Sequence, residues 1–130
     1  MNKFQLNNIV CTNEKIFKVV SVPTEKHESY KLSFQAYLGE VYNSSDEIFR
    51  DYSKIHIINE NDLQLFSGNP PKFFLGDYVS CSQITHSNIH RVFFCKYISG
   101  NYVYFVQETA NNNLLDGAKT WIEEKYLSPK

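Results

Sequence analysis

Arginine is almost absent from this chain of 130 residues, which contains only Arg50 and Arg91. Arginine makes the two-pronged contacts that recognise phosphates and base edges, so the chain has little of the chemistry used to read nucleic-acid sequence. The formal net charge is only −1. A chain this close to neutral has no strong electrostatic attraction to nucleic acids or to anionic membranes.

Cysteine and long apolar runs are scarce as well. Cys11, Cys81 and Cys95 are an odd number of cysteines, which argues against a disulfide framework and indicates a reducing compartment. The opening sequence MNKFQLNNIV lacks the apolar segment of a signal peptide, and no run approaches the length of a membrane span. We therefore expect a cytoplasmic protein that does not enter a membrane.

Glycine and proline are few, at 5 and 4 residues, whereas aromatic residues are abundant, with 10 Phe and 9 Tyr. This composition is typical of a globular chain rather than a disordered one. Phe and Tyr favour strands, and 130 residues suffice for one ordinary domain or two very small ones. The excess of lysine and asparagine over arginine indicates an A/T-rich coding source, bacterial or phage.

The chain resembles a small module written twice. Four blocks of similar sequence recur in the same order in both halves, although the spacing between the blocks differs. They are KFQLNNIVCT (3–12) with KFFLGDYVSC (72–81), IFKVVSV (16–22) with IHRVFFC (89–95), SYKLSFQA (29–36) with NYVYFVQE (101–108), and IINENDL (57–63) with WIEEKYL (121–127). The Gly/Pro-containing FSGNPP (66–71) marks the junction, which predicts domains at residues 1–66 and 67–130.

Each copy has the pattern of an all-β module. Two alternating strands form a hairpin, which in the second copy turns at SGN (99–101). In the first copy Ser44 and Glu47 have the spacing of a capping box, which predicts a short helix through residues 46–54. The third block pairs Tyr30 with Tyr102, and the second block assigns Val20 and Phe93 to matching core positions.

The second copy resembles a small SH3-like barrel of the KOW or Tudor type, as found in bacterial and phage proteins of unknown role. The resemblance rests on the patterns F-x-L-G-D-x-V and W-I-E-E-x-x-L, carried by Phe74, Leu75, Gly76, Asp77, Val79, Trp121, Ile122, Glu124 and Leu127. The first copy departs from them, with Asn7-Asn8 in place of the Gly-Asp turn and Ile57 in place of the tryptophan. The resemblance implies a mainly β chain of two tandem SH3-like barrels, with a short helix inserted in the first.

A zinc site is the sharpest chemical alternative. Cys81, His86, His90 and Cys95 have the spacing C-x4-H-x3-H-x4-C, and two thiolates with two imidazoles make a tetrahedral set. A symmetric hairpin would place Cys81 opposite Cys95. However, Cys81 and His86 would face opposite sides of a continuous strand, so we prefer buried small cysteines with polar loop histidines. We expect no metal and no cofactor.

Catalysis is not expected either. The sequence contains no nucleotide-binding or serine-hydrolase motif, and a solvated polar edge explains the carboxylates Glu60, Asp62, Glu123 and Glu124. Nucleic-acid binding is the alternative class, since SH3-like barrels include nucleic-acid binders. Its candidate stacking platform is Lys96, Tyr97, Tyr102 and Tyr104, although Tyr102 and Tyr104 also alternate as core residues would.

The two copies differ most on the outer strand faces. Ser21, Lys31 and Ser33 of the first copy are matched by Phe94, Val103 and Phe105 of the second. An apolar patch of this kind needs a cover, either from the other copy or from a partner. We therefore predict a non-catalytic protein-binding module with Phe94, Val103 and Phe105 as its contact residues, acting as an inhibitor, an immunity-type protein or an adaptor. The partner and the oligomeric state stay open.

Overall fold

The chain forms two compact units in a computed structural model, Met1–Pro70 and Pro71–Lys130. The structure describes residues 2–82, 89–108 and 119–130. The junction predicted at residues 66–71 includes the point between Pro70 and Pro71 where the contacts divide the chain. Each unit is described separately below.

The first unit is an antiparallel sheet with one helix. Its strands are arranged in the order β5-β1-β2-β3-β4, so the last strand returns to pair with the first. The elements are β1 (Ile9–Cys11), β2 (Lys15–Ser21), β3 (Tyr30–Leu38), α1 (Ser45–Ser53), β4 (Ile55–Ile58), a 3-10 turn (Glu60–Asp62) and β5 (Gln64–Leu65).

The second unit has the same strand order, and its described residues include no α-helix. Its strands pair antiparallel as β10-β6-β7-β8-β9. The elements are β6 (Tyr78–Cys81), β7 (His90–Ile98), β8 (Asn101–Glu108), β9 (Lys119–Glu123), a 3-10 turn (Glu124–Tyr126) and β10 (Leu127–Pro129). In both units the 3-10 turn precedes the last strand, and the residue that follows the turn, Leu63 or Leu127, is buried.

The mainly β prediction is confirmed. The closed barrels are not shown, since in the described residues the outermost strands of each unit are not paired with each other. The helix α1 begins where the capping box predicts, because the Ser44 hydroxyl accepts a hydrogen bond from the Glu47 amide at 3.3 Å. The predicted hairpin also forms, with Ser99 and Gly100 both at positive φ between β7 and β8.

The opening turn is the same in both units, although the sequences differ. Asn7 (φ 69°) and Gly76 (φ 94°) both adopt the left-handed conformation, which asparagine tolerates better than most residues. The Asn7 amide donates to the carbonyl of Val19 at 2.8 Å, and the Gly76 amide donates to the carbonyl of Val92 at 2.7 Å. The Asn7-Asn8 sequence is therefore a different solution to the same turn.

A tyrosine and a glutamate secure the opening segment of the first unit. The Tyr30 hydroxyl accepts from the Phe4 amide at 3.0 Å and donates to the Glu60 carboxylate at 3.0 Å. That carboxylate also accepts from the Lys3 amide at 2.6 Å. These bonds supply partners for backbone donors in a segment that belongs to no strand. We call this arrangement the Tyr–Glu clasp.

The second unit contains the same clasp, built from Tyr104 and Glu124. The Tyr104 hydroxyl accepts from the amides of Lys72 (3.0 Å) and Phe73 (3.3 Å), and it donates to Glu124 at 2.5 Å. The Glu124 carboxylate also accepts from the Lys72 amide at 3.2 Å. Tyr30 therefore corresponds to Tyr104, and the pairing of Tyr30 with Tyr102 is wrong by two residues.

The second strand of each unit contains a β-bulge, and the bulge shows that the predicted core positions of Val20 and Phe93 are wrong. The pairing register shifts between Val19 and Ser21 in β2, and between Val92 and Phe94 in β7. The extra residue at each bulge is Val20 or Phe93. Val20 is 40% exposed and Phe93 is only half-buried, so neither belongs to the core as predicted.

The inward faces of the two hairpins form the centre of each core. The side chains of Val19, Leu32 and Phe34 are buried in the first unit, and those of Val92, Tyr104 and Val106 in the second. Because side chains alternate along a strand, the residues between them face outwards. These outward faces carry the candidate site.

Candidate functional site

The bulge in β7 determines which aromatic side chains reach the outer face. Val92 and Cys95 are both buried, and the two residues between them, Phe93 and Phe94, are only half-buried. An unbulged strand could not place consecutive residues in this way, because its side chains alternate strictly. The bulge therefore adds a second phenylalanine to the outer face.

Three aromatic side chains form a continuous row across β7, β8 and β9. Phe94 is paired with Phe105, and Phe105 is paired with Trp121. The ring centroids of Phe94 and Phe105 are 5.3 Å apart, those of Phe105 and Trp121 are 5.0 Å apart, and those of Phe94 and Trp121 are 5.1 Å apart. All three side chains remain partly accessible, and Trp121 is 36% exposed. We call this group the aromatic row.

Charged side chains border the aromatic row. The Lys96 ammonium lies 4.1 Å from the centroid of the Trp121 ring, within the range of a cation–π interaction. Val103 is paired with Lys96 on one side and with Glu123 on the other. Glu123 forms an exposed ion pair with Lys125 at 3.4 Å. The row is thus an apolar strip with separate positive and negative charges beside it.

The structure brings together two of the three predicted contact residues. Phe94 and Phe105 are members of the aromatic row, whereas Val103 lies beside it in register with Lys96. Trp121 was missed, because the resemblance assigned it to the closing segment. The signal was present in the sequence, since a strand that buries Ile122 must turn the adjacent Trp121 outwards.

The first unit has no aromatic row. The register that joins Phe94, Phe105 and Trp121 in the second unit joins Ser21, Lys31 and Ile57 in the first. The clasps fix this correspondence, because Phe105 and Lys31 each follow the clasp tyrosine directly. The sequence comparison matched Phe105 to Ser33, and that match is wrong by the same two residues. The contrast between polar and aromatic faces persists in the corrected register.

The structure does not bring together the alternative zinc set, Cys81, His86, His90 and Cys95, in the part of the chain that is described. Cys81 is paired with Leu127 and Cys95 with Tyr104, so the two cysteines are not opposite each other as a symmetric hairpin required. Both are buried, and His86 lies outside the described residues. Over residues 2–82, 89–108 and 119–130, no three His, Cys, Asp or Glu side chains are grouped closely enough to hold a metal ion.

Two of the four residues of the alternative stacking platform lie in the core, as their alternation along the strand indicated. Tyr102 and Tyr104 are buried, at 6% and 0% exposure, so neither ring is available to a base. Burial raises the pKa of both phenols, and the charge of Glu124 adds to the effect at Tyr104. Tyr97 packs against Tyr102, with ring centroids 4.9 Å apart. The platform residues therefore belong mainly to the core.

A buried polar cluster in the first unit was also missed. The Asp51 carboxylate of α1 bonds to the Lys15 ammonium at 3.1 Å and accepts from the Tyr37 hydroxyl at 2.7 Å. The His56 ring nitrogen Nε2 lies 2.9 Å from the Asp51 carbonyl oxygen. Burial, above all, lowers the pKa of His56 and raises that of Tyr37.

This cluster joins α1 to β2, β3 and β4, and its contacts are typical of a helix anchor. A buried carboxylate is stable only when its hydrogen bonds are satisfied, and both oxygens of Asp51 have partners. A surface pocket of about 240 Å³ lies beside it, lined in part by Lys15, Tyr37 and Glu40. The described residues of the second unit include no α-helix, and they contain no counterpart of this cluster.

Comparisons of the chain with protein-family models, with curated proteins and with solved structures return no match. Of the helices in the described residues, none is both long enough and apolar enough to cross a bilayer. The function must therefore be inferred from the site itself.

Proposed function

We propose that this chain is a non-catalytic protein-binding module that acts by occupying a partner protein, as an inhibitor, an immunity-type protein or an adaptor does. The contact surface is the aromatic row. The observation that carries the proposal is the geometry of Phe94, Phe105 and Trp121, which pack on one another across three strands and stay accessible on their outer side.

The physical chemistry of the row supports a protein partner. Aromatic side chains are enriched at the centres of protein interfaces, and tryptophan is the most enriched at hot spots. Fully burying a large apolar side chain contributes roughly 1.5–3 kcal/mol, and these rings are already held in place by their neighbours. A preorganised row loses little conformational entropy on binding. The charges of Lys96 and Glu123 beside it provide the polar rim that such interfaces have.

Nucleic-acid binding fits the row less well. Bases stack on open ring faces with basic groups nearby, whereas Phe94 meets Trp121 at an interplanar angle of 89°. Lys96 lies 4.1 Å from the centroid of the Trp121 ring and competes with a base for that face. The near-neutral chain also lacks a phosphate-binding footprint. Binding of a single-stranded nucleic acid is therefore the alternative that the capture experiment below must be able to detect.

The SH3-like assignment belongs to the same proposal. Each unit has an opening turn, a central hairpin, a 3-10 turn and a last strand that returns to the first, and these are the parts that the resemblance implies. The matching clasps, Tyr30–Glu60 and Tyr104–Glu124, favour a tandem duplication. SH3-like barrels serve many binding functions, so the fold supports a binding role without naming the partner.

The test is an affinity capture from the native host with matched variants. Phe105→Lys introduces the residue found at the corresponding position of the first unit, Lys31. Tyr42→Ser is the control, because Tyr42 is 91% exposed and lies far from the row in sequence, in the other unit. We expect a protein that is captured by the unaltered chain and by Tyr42→Ser, with or without nuclease, and lost with Phe105→Lys.

Two results would contradict the proposal. Capture that persists with Phe105→Lys would show that the row is not the contact surface. Recovery of nucleic acid as the sole Phe105-dependent species would assign the row to nucleic-acid binding instead. Thermal melts of both variants serve as the folding control.

A further inference from the structure

The sheet of the first unit ends at an open strand edge. Residues 2–70 of this unit are all described, and among them β4 is paired with β3 and with no other strand. Alternate residues of an antiparallel strand direct their amide and carbonyl groups to opposite sides. Two of the four residues of Ile55–Ile58 therefore present these groups on the open side, where another extended chain can pair with them.

The side chains at this edge are apolar and accessible. Ile55 is 53% exposed and Ile57 is 66% exposed, and both lie on the outer face, because His56 between them is buried. Natural edge strands are commonly protected by a lysine, a proline or a bulge. The sequence IHII contains neither lysine nor proline, and its register with β3 is continuous. An unprotected apolar edge of this kind is typical of a site that receives another chain.

The charges around the two isoleucines are all positive. The strands β2, β3 and β4 contain lysines but no aspartate or glutamate. Lys31 is paired with Ile57, and Lys18 lies in the same lateral row as Ile55, two strands away. The exposed Lys54 precedes β4 directly. Within the described part of the chain, no carboxylate forms an ion pair with any of these three lysines.

We propose that the edge of β4 binds an extended segment of a partner protein, rich in apolar and acidic residues, which adds to the sheet as a further strand. Its apolar side chains cover Ile55 and Ile57, and its carboxylates meet the lysines beside them. Backbone hydrogen bonds supply affinity in this mode of recognition, and alternate side chains supply specificity. The aromatic row belongs to the other unit, so this inference does not depend on the proposed function.

Two other occupants fit the edge less well. Pairing of β4 with β4 of a second copy places lysines on both sides of the strand pair, and β2, β3 and β4 have no acidic residue to offset them. A second copy therefore offers no charge complementarity. A nucleic acid meets the lysines, but its backbone has no alternating amides and carbonyls to pair with a strand edge. An acidic, apolar peptide satisfies both the charges and the backbone.

A pair of blocked peptides tests the charge requirement. In acetyl-ETVTVTE-amide the valines and glutamates share one face of an extended strand, and acetyl-KTVTVTK-amide is its basic counterpart. We expect the acidic peptide to bind the full chain with a Kd of about 100 µM in isothermal titration calorimetry, as suits one short added strand. The basic peptide should bind at least about tenfold more weakly.

N-methylation of the peptide tests the strand addition itself. Alternate amides of an added strand face β4, and the others face away from it. One version of the acidic peptide is methylated at its threonine amides and another at its valine amides. Binding should be abolished in the version whose methyl groups face β4, because those donors are lost. The other version should bind within about threefold of the unmodified peptide, because its backbone bonds to β4 are kept.

Charge reversal on the protein provides the third arm. Lys31→Glu should weaken the acidic peptide about three- to tenfold, because an exposed attraction becomes a repulsion, and it should strengthen the basic peptide. Lys26→Glu is the matched control, since it changes the net charge equally at an exposed loop position of the same unit, and it should leave both affinities unchanged. Ile57→Thr should weaken both peptides, because it removes apolar cover. Thermal melts of the variants serve as the folding control.

The outcomes separate this inference from the proposed function. An acidic peptide that does not bind below about 1 mM, a charge preference that Lys31→Glu does not alter, or equal effects of the two N-methylated peptides would overturn the strand addition. So would displacement of the acidic peptide by oligo(dT), which would assign the lysines to a nucleic acid. Phe105→Lys should bind the acidic peptide as the unaltered chain does. Loss of the peptide in that variant would place it on the aromatic row, contradicting this inference and supporting the proposed function.

Discussion

Removal of one hydroxyl from the Tyr–Glu clasp should destabilise the second unit by a definite amount. In Tyr104→Phe the ring stays in the core, where Tyr104 is fully buried and packs against Phe73 with centroids 5.5 Å apart. The buried Phe73 amide loses the hydroxyl that it bonds at 3.3 Å, and Glu124 loses one of its two hydrogen-bond donors. The Lys72 amide keeps its bond to Glu124, so one backbone donor is orphaned rather than two.

The magnitude follows from these losses. An unsatisfied buried donor costs about 1–3 kcal/mol, and a hydrogen bond to a charged group contributes about 1.5–3 kcal/mol. Because the two losses share one hydroxyl and the carboxylate can reach water, we expect Tyr104→Phe to lower the free energy of unfolding by about 2–4 kcal/mol. The deletion creates almost no cavity, so the effect measures hydrogen bonding and not packing.

Urea unfolding followed by Trp121 fluorescence and by far-UV circular dichroism gives the measurement. Tyr30→Phe is the matched variant, since it orphans the Phe4 amide of the first unit in the same way, and its cost should agree within about 1 kcal/mol. Tyr42→Phe is the control, because its 91% exposed side chain should contribute nothing measurable. A change below about 0.5 kcal/mol in both clasp variants, the size of a neutral surface substitution, would refute a stabilising role for the clasp.

The remaining predictions concern pH and backbone conformation. Burial raises the pKa of Tyr104, so the unfolded chain ionises first, near pH 10. The protonated Tyr104 phenol therefore contributes fully to the free energy of unfolding below about pH 10, and this contribution is lost as the pH rises further. In urea titrations at alkaline pH, Tyr104→Phe should lose less stability with rising pH than the unaltered chain does. Burial lowers the pKa of His56, so the contribution present above about pH 6.5 is lost as the pH falls; His56→Phe should make the acid limb shallower, and an unchanged slope would exclude His56 as its source. At the opening turns, Gly76→Ala should lower the free energy of unfolding by about 1–2 kcal/mol, because Gly76 has a positive φ. The added Cβ causes no clash, since its nearest neighbour is the Arg91 side chain at 3.9 Å. Asn7→Gly should be nearly neutral by the same measurement.

The elements that the sequence predicted well are those determined locally. Ser44 and Glu47 lie three residues apart in one chain segment, and the Ser99-Gly100 turn depends on two adjacent backbone conformations. Local signals of this kind do not require knowledge of what packs against them. The helix start and the hairpin were therefore predicted correctly, with boundaries within about a residue.

The errors arose where long-range pairing decides the outcome. Tyr102 and Tyr104 are both buried tyrosines on the same strand face, and the sequence could not tell which of them bonds the opening segment. The bulge residue Phe93 was assigned to the core, because strict alternation has no place for an inserted residue. Glu60 and Glu124 were interpreted as solvated carboxylates, since their donors lie far away in the chain.

The sequence did locate the main difference between the two units. The alignment of the two copies was wrong by two residues in the third block. In both the predicted and the corrected alignment, however, polar residues of the first unit correspond to Phe94 and Phe105 of the second. The error was harmless because side chains two residues apart share a strand face. A shift by one residue would have exchanged the faces and hidden the contrast.

The two units retain the same internal framework and differ on one outer face. Each bond of the first unit's clasp and opening turn has a counterpart in the second unit, which is expected of groups that hold each fold together. The first unit forms the same framework although the positions that correspond to the aromatic row are occupied by Ser21, Lys31 and Ile57. An aromatic row is therefore not needed to form this kind of sheet. In the second unit the row leaves Trp121 36% exposed, on a strand that is paired with β8 alone in the described residues. Accessible clusters of aromatic rings are typical of interaction sites, so the difference between the two outer faces favours the proposed binding role over a structural one.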